Sequence, residues 1–511
     1  MFTINRFFKP IIFVMCVLFI FLALSSVSAA NHDFTTFNTT EQFQSVINND
    51  NDNDLVISFD DGEYVDWGQL NISRNATIVG KNRGGAKFTT SSGTLFNINA
   101  TNVKIINLTI SGYTTAIKSN CSDLTVSDNN ITTSGVSINL SSSGSANPIT
   151  GVVIKDNIIK SSIATNYRGA VSFFGNSADK TVFDVLFSGN NITGGYSGVY
   201  LGDGSSGSPV SSGNLVFENN NITGTSAYGV CLRASSNNTN ISFVNNSITE
   251  TYYGVFLEAY GSNNTNITFA NNSITETYYG VFLEAYGSNN TNITFANNSI
   301  TGTSYGVFMS TYLSNNININ IIFFANNNIT GTSGSGVFLD AYNSNDNNIT
   351  FANNNITGTS GSGVFLSASS NKNNNITFAN NSITGTSGSG VSLYAYGSNN
   401  TNITFANNYI TGTSGSGVFL DAYGSNNTNI TFANNYITET YYGVFLEAYG
   451  SNNTNITFAN NNITGVSYGV YVYLSNGNVK GVNFLNNTIN VTSGDGFYFY
   501  TSGGVTNVTD F

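Results

Sequence analysis

The feature that most constrains the fold of this chain is a repeat with a nearly fixed period. Residues 236–261 read SNNTNISFVNNSITETYYGVFLEAYG, and residues 262–287 differ from them at only two positions. An isoleucine recurs with steps of 26 to 29 residues, and looser copies precede this series. The regular positions are 222, 248, 274, 300, 329, 356, 383, 410, 437, 463 and 489, and the looser ones are 110, 131, 159 and 192. A fixed period in the twenties is typical of a solenoid.

Within one repeat the apolar residues alternate with a period of two, which indicates β-strands. In NITFAN, the pattern predicts Ile267, Phe269 and Asn271 on one side of the strand. In GVFLEAY, it predicts an inward set and an outward set. The inward set is Val255, Leu257 and Ala259, and the outward set is Phe256, Glu258 and Tyr260. Gly, Asn and Ser clusters between these segments predict turns.

Two or three short strands per 26–27 residues predict an all-β chain folded as a parallel β-helix. Each strand would pair with its equivalent in the next coil, about 4.8 Å away. A single coil cannot fold alone, because ordering each residue costs roughly 1–2 kcal/mol and one coil buries few large side chains. Only the stacked array, about sixteen coils long on this period, is expected to be stable.

The asparagines that end the NITFAN strands have a predicted structural role. If alternation continues, their amides point inward and bond the equivalent amide one coil away. This predicted asparagine ladder comprises Asn245, Asn271, Asn297, Asn326, Asn353, Asn380, Asn407, Asn434 and Asn460.

The chain divides into three predicted regions. Residues 1–30 carry Arg6, Lys9 and an apolar run from Ile11 to Leu24, which is typical of a signal peptide, or of a retained signal anchor. Residues 31–54 are a predicted N-terminal cap, and residues 55–511 the β-helix, with near-identical repeats at 215–490.

Charge excludes one class of partner. Without residues 1–30 the chain has 13 basic residues against 27 acidic ones, a net charge of −14. Such a surface repels nucleic acid, so no nucleic-acid partner is expected. Contact with a membrane is expected only through an uncleaved signal anchor. Asn-x-Ser/Thr sequons are abundant, which makes glycosylation plausible outside the cell.

The cap region contains two predicted features. Residues Thr40 to Asn49 fit a short amphipathic helix with Thr39 or Thr40 as its N-cap. Asp50, Asp52 and Asp54 alternate as in calcium loops, but Leu55 stands where that loop needs glycine. No metal or other cofactor is therefore expected, with calcium as the open alternative. The two cysteines after residue 30, Cys121 and Cys231, are expected to be free thiols, because they lie several repeats apart.

The NITFANNSITG-type coil resembles the right-handed parallel β-helix repeats of the pectin-lyase-like superfamily. The composition and the N-terminal TTEQFQSVIN, GQLNISRNATIVGKN and GTLFNINATNVKIINLTISG segments resemble the Asn/Thr-rich adhesin-like surface proteins of methanogenic archaea. The resemblance implies a right-handed coil and an exported, cell-surface protein. Enzymes of the superfamily cleave acidic polysaccharides: the lyases use aspartates to hold calcium and a basic residue to take the proton, and the hydrolases use clustered aspartates as acid and base. In this chain the only histidine, His32, lies near the N-terminus, so it is a poor catalytic candidate.

The first candidate site is the outward stripe of the GVFLEAY strands. Stacking would align aromatic and acidic side chains, and such a stripe could bind sugars through ring faces and hydrogen bonds. The candidate residues are Phe256, Glu258, Tyr260, Phe282, Glu284 and Tyr286. Farther along the same column, Asp421 would lie beside Glu447. A structural alternative is that the rings only stack on one another.

The second candidate site lies at residues 155–203, where the period lengthens and charged residues are more frequent. Longer steps predict protruding loops, which could form a groove. The groove candidates are Lys155, Arg168, Asp179, Asp184 and Asp203.

Repetition bears on function, because catalysis needs one unique arrangement whereas near-identical coils favour length and avidity. The sequence therefore favours a non-enzymatic, adhesin-like surface protein that binds carbohydrate or another cell surface. A secreted polysaccharide lyase or glycoside hydrolase and a structural envelope spacer remain the alternatives.

Overall fold

The structure of the protein is a computed structural model that describes most of the chain after residue 30. The described residues are 31–141, 148–174, 180–202, 210–234, 238–260, 264–286, 290–312, 322–341, 347–367, 374–397, 401–412, 414–424, 429–450, 452–475, 478–502 and 508–509. The predicted signal segment, residues 1–30, lies outside this set.

The chain winds into coils with three faces, each built from stacked strands. Face 1, as far as the described residues show it, is a sheet of 19 strands that contains the NITFA segments. Its strands are Asn31–Phe34, Leu55–Phe59, Ala76–Gly80, Val103–Ile106, Thr125–Ser127, Ile149–Lys155, Lys180–Ser188, Val210–Glu218, Asn238–Val244, Asn264–Ala270, Asn290–Ala296, Ile322–Ala325, Asn347–Ala352, Asn374–Ala379, Thr401–Ala406, Asn429–Ala433, Asn452–Ala459, Asn478–Leu485 and Val508–Thr509.

Faces 2 and 3 belong to a second sheet of 31 strands. Face 2 contains Gly62–Val65, Ala86–Thr89, Leu108–Ser111, Asn130–Thr133, Ile158–Ser161, Asn191–Gly194, Asn221–Thr223, Asn328–Gly331, Asn355–Gly358, Ser382–Gly385, Tyr409–Gly412, Tyr436–Thr438, Asn462–Gly465 and Thr488–Val491. Face 3 contains Leu70–Ile72, Thr94–Ile98, Thr115–Ser119, Ile138–Ser141, Gly169–Phe174, Ser197–Gly202, Tyr228–Ala234, Val337–Ala341, Val364–Ser367, Val391–Tyr394, Ser416–Asp421, Tyr442–Tyr449, Tyr468–Ser475 and Asp495–Thr501. Three long strands run through both faces: Ser247–Tyr260, Ser273–Tyr286 and Ser299–Tyr312.

Every strand pairs in parallel with its equivalent one coil away, so that identical residues align. Ile248 pairs with Ile274, which pairs with Ile300. The repeated isoleucines are buried at every predicted position except the last, where Ile489 is partly buried. The predicted all-β parallel β-helix is therefore confirmed.

The core is filled by repeated columns of side chains. On face 1, Ile267 and Phe269 are fully buried, as the alternation predicts. Phe269 stacks on its equivalents in the neighbouring coils with ring centroids 4.7–4.8 Å apart and nearly parallel planes. On face 3, Val255, Leu257 and Ala259 are fully buried. Alternation therefore assigns these side chains correctly along both strands.

The predicted asparagine ladder is wrong by one residue. Asn271 is exposed, and its backbone lies in the left-handed region with φ of +55°. This conformation interrupts the strand alternation, so the next residue, Asn272, points inward instead and is 2% exposed. The same correction applies at Asn245, Asn271, Asn297, Asn326, Asn353, Asn380, Asn407, Asn434 and Asn460, which all have positive φ.

The buried ladder is formed by the asparagine that follows each of these residues. The Asn272 amide donates to the Phe243 carbonyl at 2.8 Å and to Asn298 Oδ1 at 2.9 Å. Its Oδ1 accepts from the backbone and side-chain nitrogens of Asn246, each at 3.0 Å. The ladder comprises Asn129, Asn157, Asn190, Asn220, Asn246, Asn272, Asn298, Asn327, Asn354, Asn381, Asn408, Asn435, Asn461 and Asn487. Each buried amide is thus fully satisfied.

The N-terminal end is covered by the predicted helix, α1, which spans Thr40–Asn49. Thr39 is its N-cap and forms a capping box with Gln42, so the predicted helix is confirmed. Phe43 and Ile47 are buried on the first coils, where Phe43 packs near Phe34, Phe59 and Trp67. The helix shields apolar surface that an open coil end would expose.

Candidate functional site

The outward side chains of face 3 form three columns, which we call together the aromatic wall. The phenylalanine column contains Phe256, Phe282, Phe308, Phe338, Phe365, Phe419, Phe445, Tyr471 and Tyr498. The carboxylate column contains Arg233, Glu258, Glu284, Ser310, Asp340, Ser367, Tyr394, Asp421, Glu447, Tyr473 and Tyr500. The tyrosine column contains Tyr396, Tyr423 and Tyr449.

Most rings of the phenylalanine column are stacked on both faces. The centroids of Phe282 and Phe308 lie 4.6 Å apart with planes at 6°, and those of Phe308 and Phe338 lie 4.9 Å apart with parallel planes. A ring stacked in this way presents only its edge to solvent. Ring faces that a ligand could cover are therefore expected where the stack is interrupted.

The N-terminal part of the aromatic wall is closed. Tyr228 and Tyr253 pack edge-on against Phe256, which is 7% exposed. Glu258 is 4% exposed and accepts a charge-assisted hydrogen bond from Arg233, whose guanidinium lies over the Tyr167 ring. Phe256 and Glu258 were predicted to contact carbohydrate, and burial contradicts that prediction.

The other four residues of this first candidate site are not buried in the same way or are not described. Phe282 and Glu284 are half-buried, and their role remains a prediction. The side chains of Tyr260 and Tyr286 lie outside the described part of the structure.

Cys231 occupies the same closed region. It aligns with Phe256 in the next coil and is fully buried. Neither Cys231 nor Cys121 forms a disulfide, as expected. Burial raises the pKa of the Cys231 thiol. The thiol therefore stays protonated and unreactive, and Cys231 serves as a packing residue.

The regular stack is interrupted at one coil. The repeat reads VFLDAY at residues 418–423 but VSLYAY at residues 391–396, so Ser392 replaces phenylalanine and Tyr394 replaces the acid. Ser392 is buried and its hydroxyl bonds that of Ser362 at 2.8 Å. Tyr394 leans between Phe365 and Phe419, with centroids 5.4 Å apart and planes tilted by 40° and 48°.

Exposed tyrosines lie beside this interruption. Tyr396, Tyr423 and Tyr449 are 37%, 51% and 37% exposed. Tyr423 and Tyr449 are stacked at 4.9 Å, whereas the planes of Tyr396 and Tyr423 meet at 57°. This tilt opens the stack on one side, so the tyrosine column offers a ring face to solvent here.

Two carboxylates accompany these tyrosines. Asp421 and Glu447 are register partners on adjacent strands, and the Tyr396 hydroxyl donates to Asp421 Oδ2 at 2.7 Å. The backbone carbonyl of Glu447 accepts from the Ala422 N–H, whereas its carboxylate makes no hydrogen bond or ion pair among the described residues. Burial raises the pKa of Asp421, and burial together with the charge of Asp421 raises the pKa of Glu447. Burial and the Asp421 hydrogen bond raise the pKa of Tyr396 to about 12.

The sequence pattern aligns Asp421 with Glu447, but neither is among the predicted site residues, and the predicted set also lacks Tyr394, Tyr396, Tyr423 and Tyr449. The signal was present as Ser392, the one position of the phenylalanine column between Phe256 and Phe445 that is not aromatic. Whether this substitution lies in an exposed part of the aromatic wall depends on which coils are covered by other side chains, and the sequence alone does not show that.

Three members of the second candidate groove, Lys155, Arg168 and Asp184, lie within the described residues, and the groove itself remains a prediction. Lys155 pairs with Asp156 at 3.6 Å, and the Arg168 guanidinium lies 4.2 Å from the centroid of the Phe174 ring. Asp184 accepts from Asn214 at 2.8 Å. These contacts involve separate partners. Asp179 and Asp203 lie outside the described residues, so their part in a groove remains a prediction.

In the segment that resembles a calcium loop, the Asp50 carboxylate already contacts other side chains of the protein. Asp50 Oδ2 lies 2.7 Å from His32 Nε2, and Arg74 approaches Asp50 Oδ1 at 3.8 Å. A hydrogen bond from the Asp52 backbone, followed by that of His32, lowers the pKa of Asp50. No group of three metal-ligating side chains occurs among the residues that the structure describes. The Asp50 carboxylate therefore has a structural role.

Comparisons with known proteins bear on the fold. A family model described as "Right handed beta helix region" matches residues 155–322. No curated protein sequence matches the chain. No helix among the described residues is long and apolar enough to cross a membrane.

Several solved structures are similar at low scores. The mannuronan C-5 epimerase A-module of Azotobacter vinelandii is 12% identical, with a TM-score of 0.28 over 92% of this chain and 95% of that one. Tailspike protein 3 of bacteriophage CBA120 is 12% identical, with a TM-score of 0.30 over 92% of this chain and 58% of that one. A polysaccharide lyase of Pseudopedobacter saltans is 13% identical, with a TM-score of 0.34 over 75% and 85%. At these scores the similarity carries no information on activity.

Proposed function

We propose that this right-handed parallel β-helix is an exported, non-enzymatic protein that binds carbohydrate along its aromatic wall. The observation that carries the proposal is the row of exposed Tyr396, Tyr423 and Tyr449 beside two half-buried carboxylates. Ring faces cover the apolar faces of sugars, and carboxylates accept hydrogen bonds from their hydroxyl groups. Export is supported by the signal-like residues 1–30.

A role in adhesion is favoured over catalysis by the repetition of the wall. Phenylalanines recur in register through successive coils, so neighbouring coils offer closely similar chemistry. Weak contacts repeated along a rod add up through avidity, which suits attachment to a polymer or a cell surface.

Polysaccharide cleavage is the second candidate function. Its specific support is the Asp421–Glu447 pair, because carboxyl groups with raised pKa values are typical of acid–base catalysis. A structural spacer is the third candidate. Incubation with neutral, acidic and amino polysaccharides, followed by measurement of chain length, separates cleavage from binding.

The test of the proposal compares two double variants in a glycan array and in affinity electrophoresis through polysaccharide gels. Tyr423→Ser with Tyr449→Ser removes two rings of the wall, and we expect about a tenfold loss of affinity or more. The matched control is Tyr409→Ser with Tyr436→Ser. These rings lie in the same coils but on face 2, are stacked at 5.3 Å, and are 44% and 43% exposed.

Equal losses in the two double variants would contradict a site on the aromatic wall. Absence of binding to every glycan by the folded wild-type rod would favour the spacer. Shortening of a polymer that Asp421→Asn abolishes would favour the enzyme.

A further inference from the structure

The carboxylate column contains two acidic pairs in different electrostatic surroundings. Glu258 and Glu284 are register partners, and the preceding coil places Arg233 in the same column. Arg233 and Glu258 form an ion pair. Asp421 and Glu447 are also register partners, but their column neighbours are Tyr394 and Tyr473.

No basic residue of the chain lies near the second pair along the sequence. Between Lys372 and Lys480 the sequence contains no lysine, arginine or histidine. The coils that carry Asp421 and Glu447 therefore contain no positive side chain. Two partly buried carboxylates on adjacent strands repel each other, and a cation between them would relieve that repulsion.

We propose that Asp421 and Glu447 form a subsite for the protonated amino group of an amino-sugar polysaccharide, with the neighbouring tyrosine rings covering the sugar faces. The inference rests on the proposed carbohydrate-binding function and specifies its ligand. At the first pair Arg233 supplies a positive charge from the preceding coil; at the second pair that register position is Tyr394, and the ammonium group of the ligand supplies the charge instead.

The surroundings favour an amino sugar over other cations. Calcium takes six to eight oxygen ligands, and two carboxylates supply too few of them. A lysine side chain would use the carboxylates but leave the exposed ring faces of the tyrosine column uncovered. An amino sugar can contact both the carboxylates and the tyrosine rings, because it carries an ammonium group on a ring with apolar faces.

Charge also sets the expected selectivity. N-acetylation removes the positive charge of the amino sugar while keeping its ring, and a uronate places a negative charge against the pair. Affinity should therefore follow the order free amine, then acetylated amine, then uronate. Added salt should weaken binding of the free amine most, because salt screens exposed charge pairs.

The experiment is isothermal titration calorimetry of the full chain with a glucosamine hexamer and an N-acetylglucosamine hexamer, at about pH 6.5 where the amine is protonated. We expect about tenfold tighter binding of the glucosamine hexamer or more. Asp421→Asn with Glu447→Gln should reduce that affinity to the level of the acetylated hexamer. Glu439→Gln is the control, since this glutamate lies in the coil of Glu447 but is exposed outside the aromatic wall.

The outcomes separate the inference from the proposed function. Equal affinities of wild type for the two hexamers, both lost in Tyr423→Ser with Tyr449→Ser, would overturn the amino-sugar inference and leave carbohydrate binding intact. Calcium or an oligolysine peptide that displaces the glucosamine hexamer at equal concentration would also overturn it. Absence of any glycan binding would contradict the proposed function itself. Circular dichroism of the amide variants, which preserve side-chain shape, checks that the coil is intact.

Discussion

At the residue scale, the paired asparagines that end each face 1 strand have different roles. The first, such as Asn271, takes a left-handed conformation that asparagine tolerates better than most residues. The second, such as Asn272, is buried with four hydrogen bonds to its side chain. One residue turns the chain, and the next holds adjacent coils together.

This division predicts unequal effects of substitution. Asn272→Ala leaves buried groups of Asn246, Phe243 and Asn298 without their partner, at roughly 1–3 kcal/mol for each unsatisfied group. Native-state hydrogen exchange should show faster opening of the coils around residue 272. Asn271→Gly is the control, because glycine accepts the positive φ and only an exposed amide is lost. Similar exchange in the two variants would contradict the assignment of the inner ladder.

At the element scale, adjacent coils stack closely because a glycine stands at the start of each GVFLEAY segment. At Gly254, an added Cβ would lie 2.4 Å from Ile274 Cγ2 and 2.5 Å from the Gly280 carbonyl oxygen. The backbone of face 3 therefore approaches the repeated isoleucine of the next coil too closely for any side chain. Glycine at this position permits the close spacing of adjacent coils.

Gly254→Ala is expected to force adjacent coils apart, at a cost of about 1–3 kcal/mol, as is usual for overpacking. Exchange of the backbone amides in residues 247–286 should become faster. Gly481→Ala provides the comparison, since its nearest foreign atom would be Asn455 Oδ1 at 3.6 Å. An effect of Gly254→Ala no larger than that of Gly481→Ala would show that the coil can relax.

At the scale of the whole molecule, the rod is a stack of interchangeable coils. Residues 247–249 of one coil pair with residues 273–275 of the next, and the inner ladder continues from Asn246 through Asn272 to Asn298. Because strand pairing and the inner ladder join neighbouring coils, stability is close to a sum of coil and interface terms. The low content of charged residues, 8%, is compatible with this stacking, since few like charges align in columns.

Removal of one complete coil should therefore be tolerated. Deletion of residues 248–273 joins Ser247 to Ile274 and preserves every register. We expect a folded rod shorter by about 4.8 Å, measured by small-angle scattering, with a nearly unchanged melting temperature. Deletion of residues 248–260 removes half a coil and places face 3 residues against face 1. If this shorter deletion were tolerated equally well, the register model would be wrong.

The sequence by itself determined the parallel β-helix, its period, its repeated isoleucine core and helix α1. Periodicity, alternation and capping are local properties, so they can be read along the chain without knowing which segments meet. The inner asparagine ladder could not be read in this way, because a single left-handed residue at Asn271 reverses the side to which its successor points.

Only the tertiary structure decided which part of the aromatic wall is open. Phe256 and Phe419 both stand in a GVFL segment, but Tyr228, Tyr253 and the Arg233–Glu258 pair close the wall around Phe256. Near Phe419, Tyr396 and Tyr423 are exposed, and Ser392 stands where neighbouring coils have phenylalanine. Tyr253 lies in the same strand as Phe256, but Tyr228 lies one coil earlier, and only the stacking of coils brings it against the Phe256 ring.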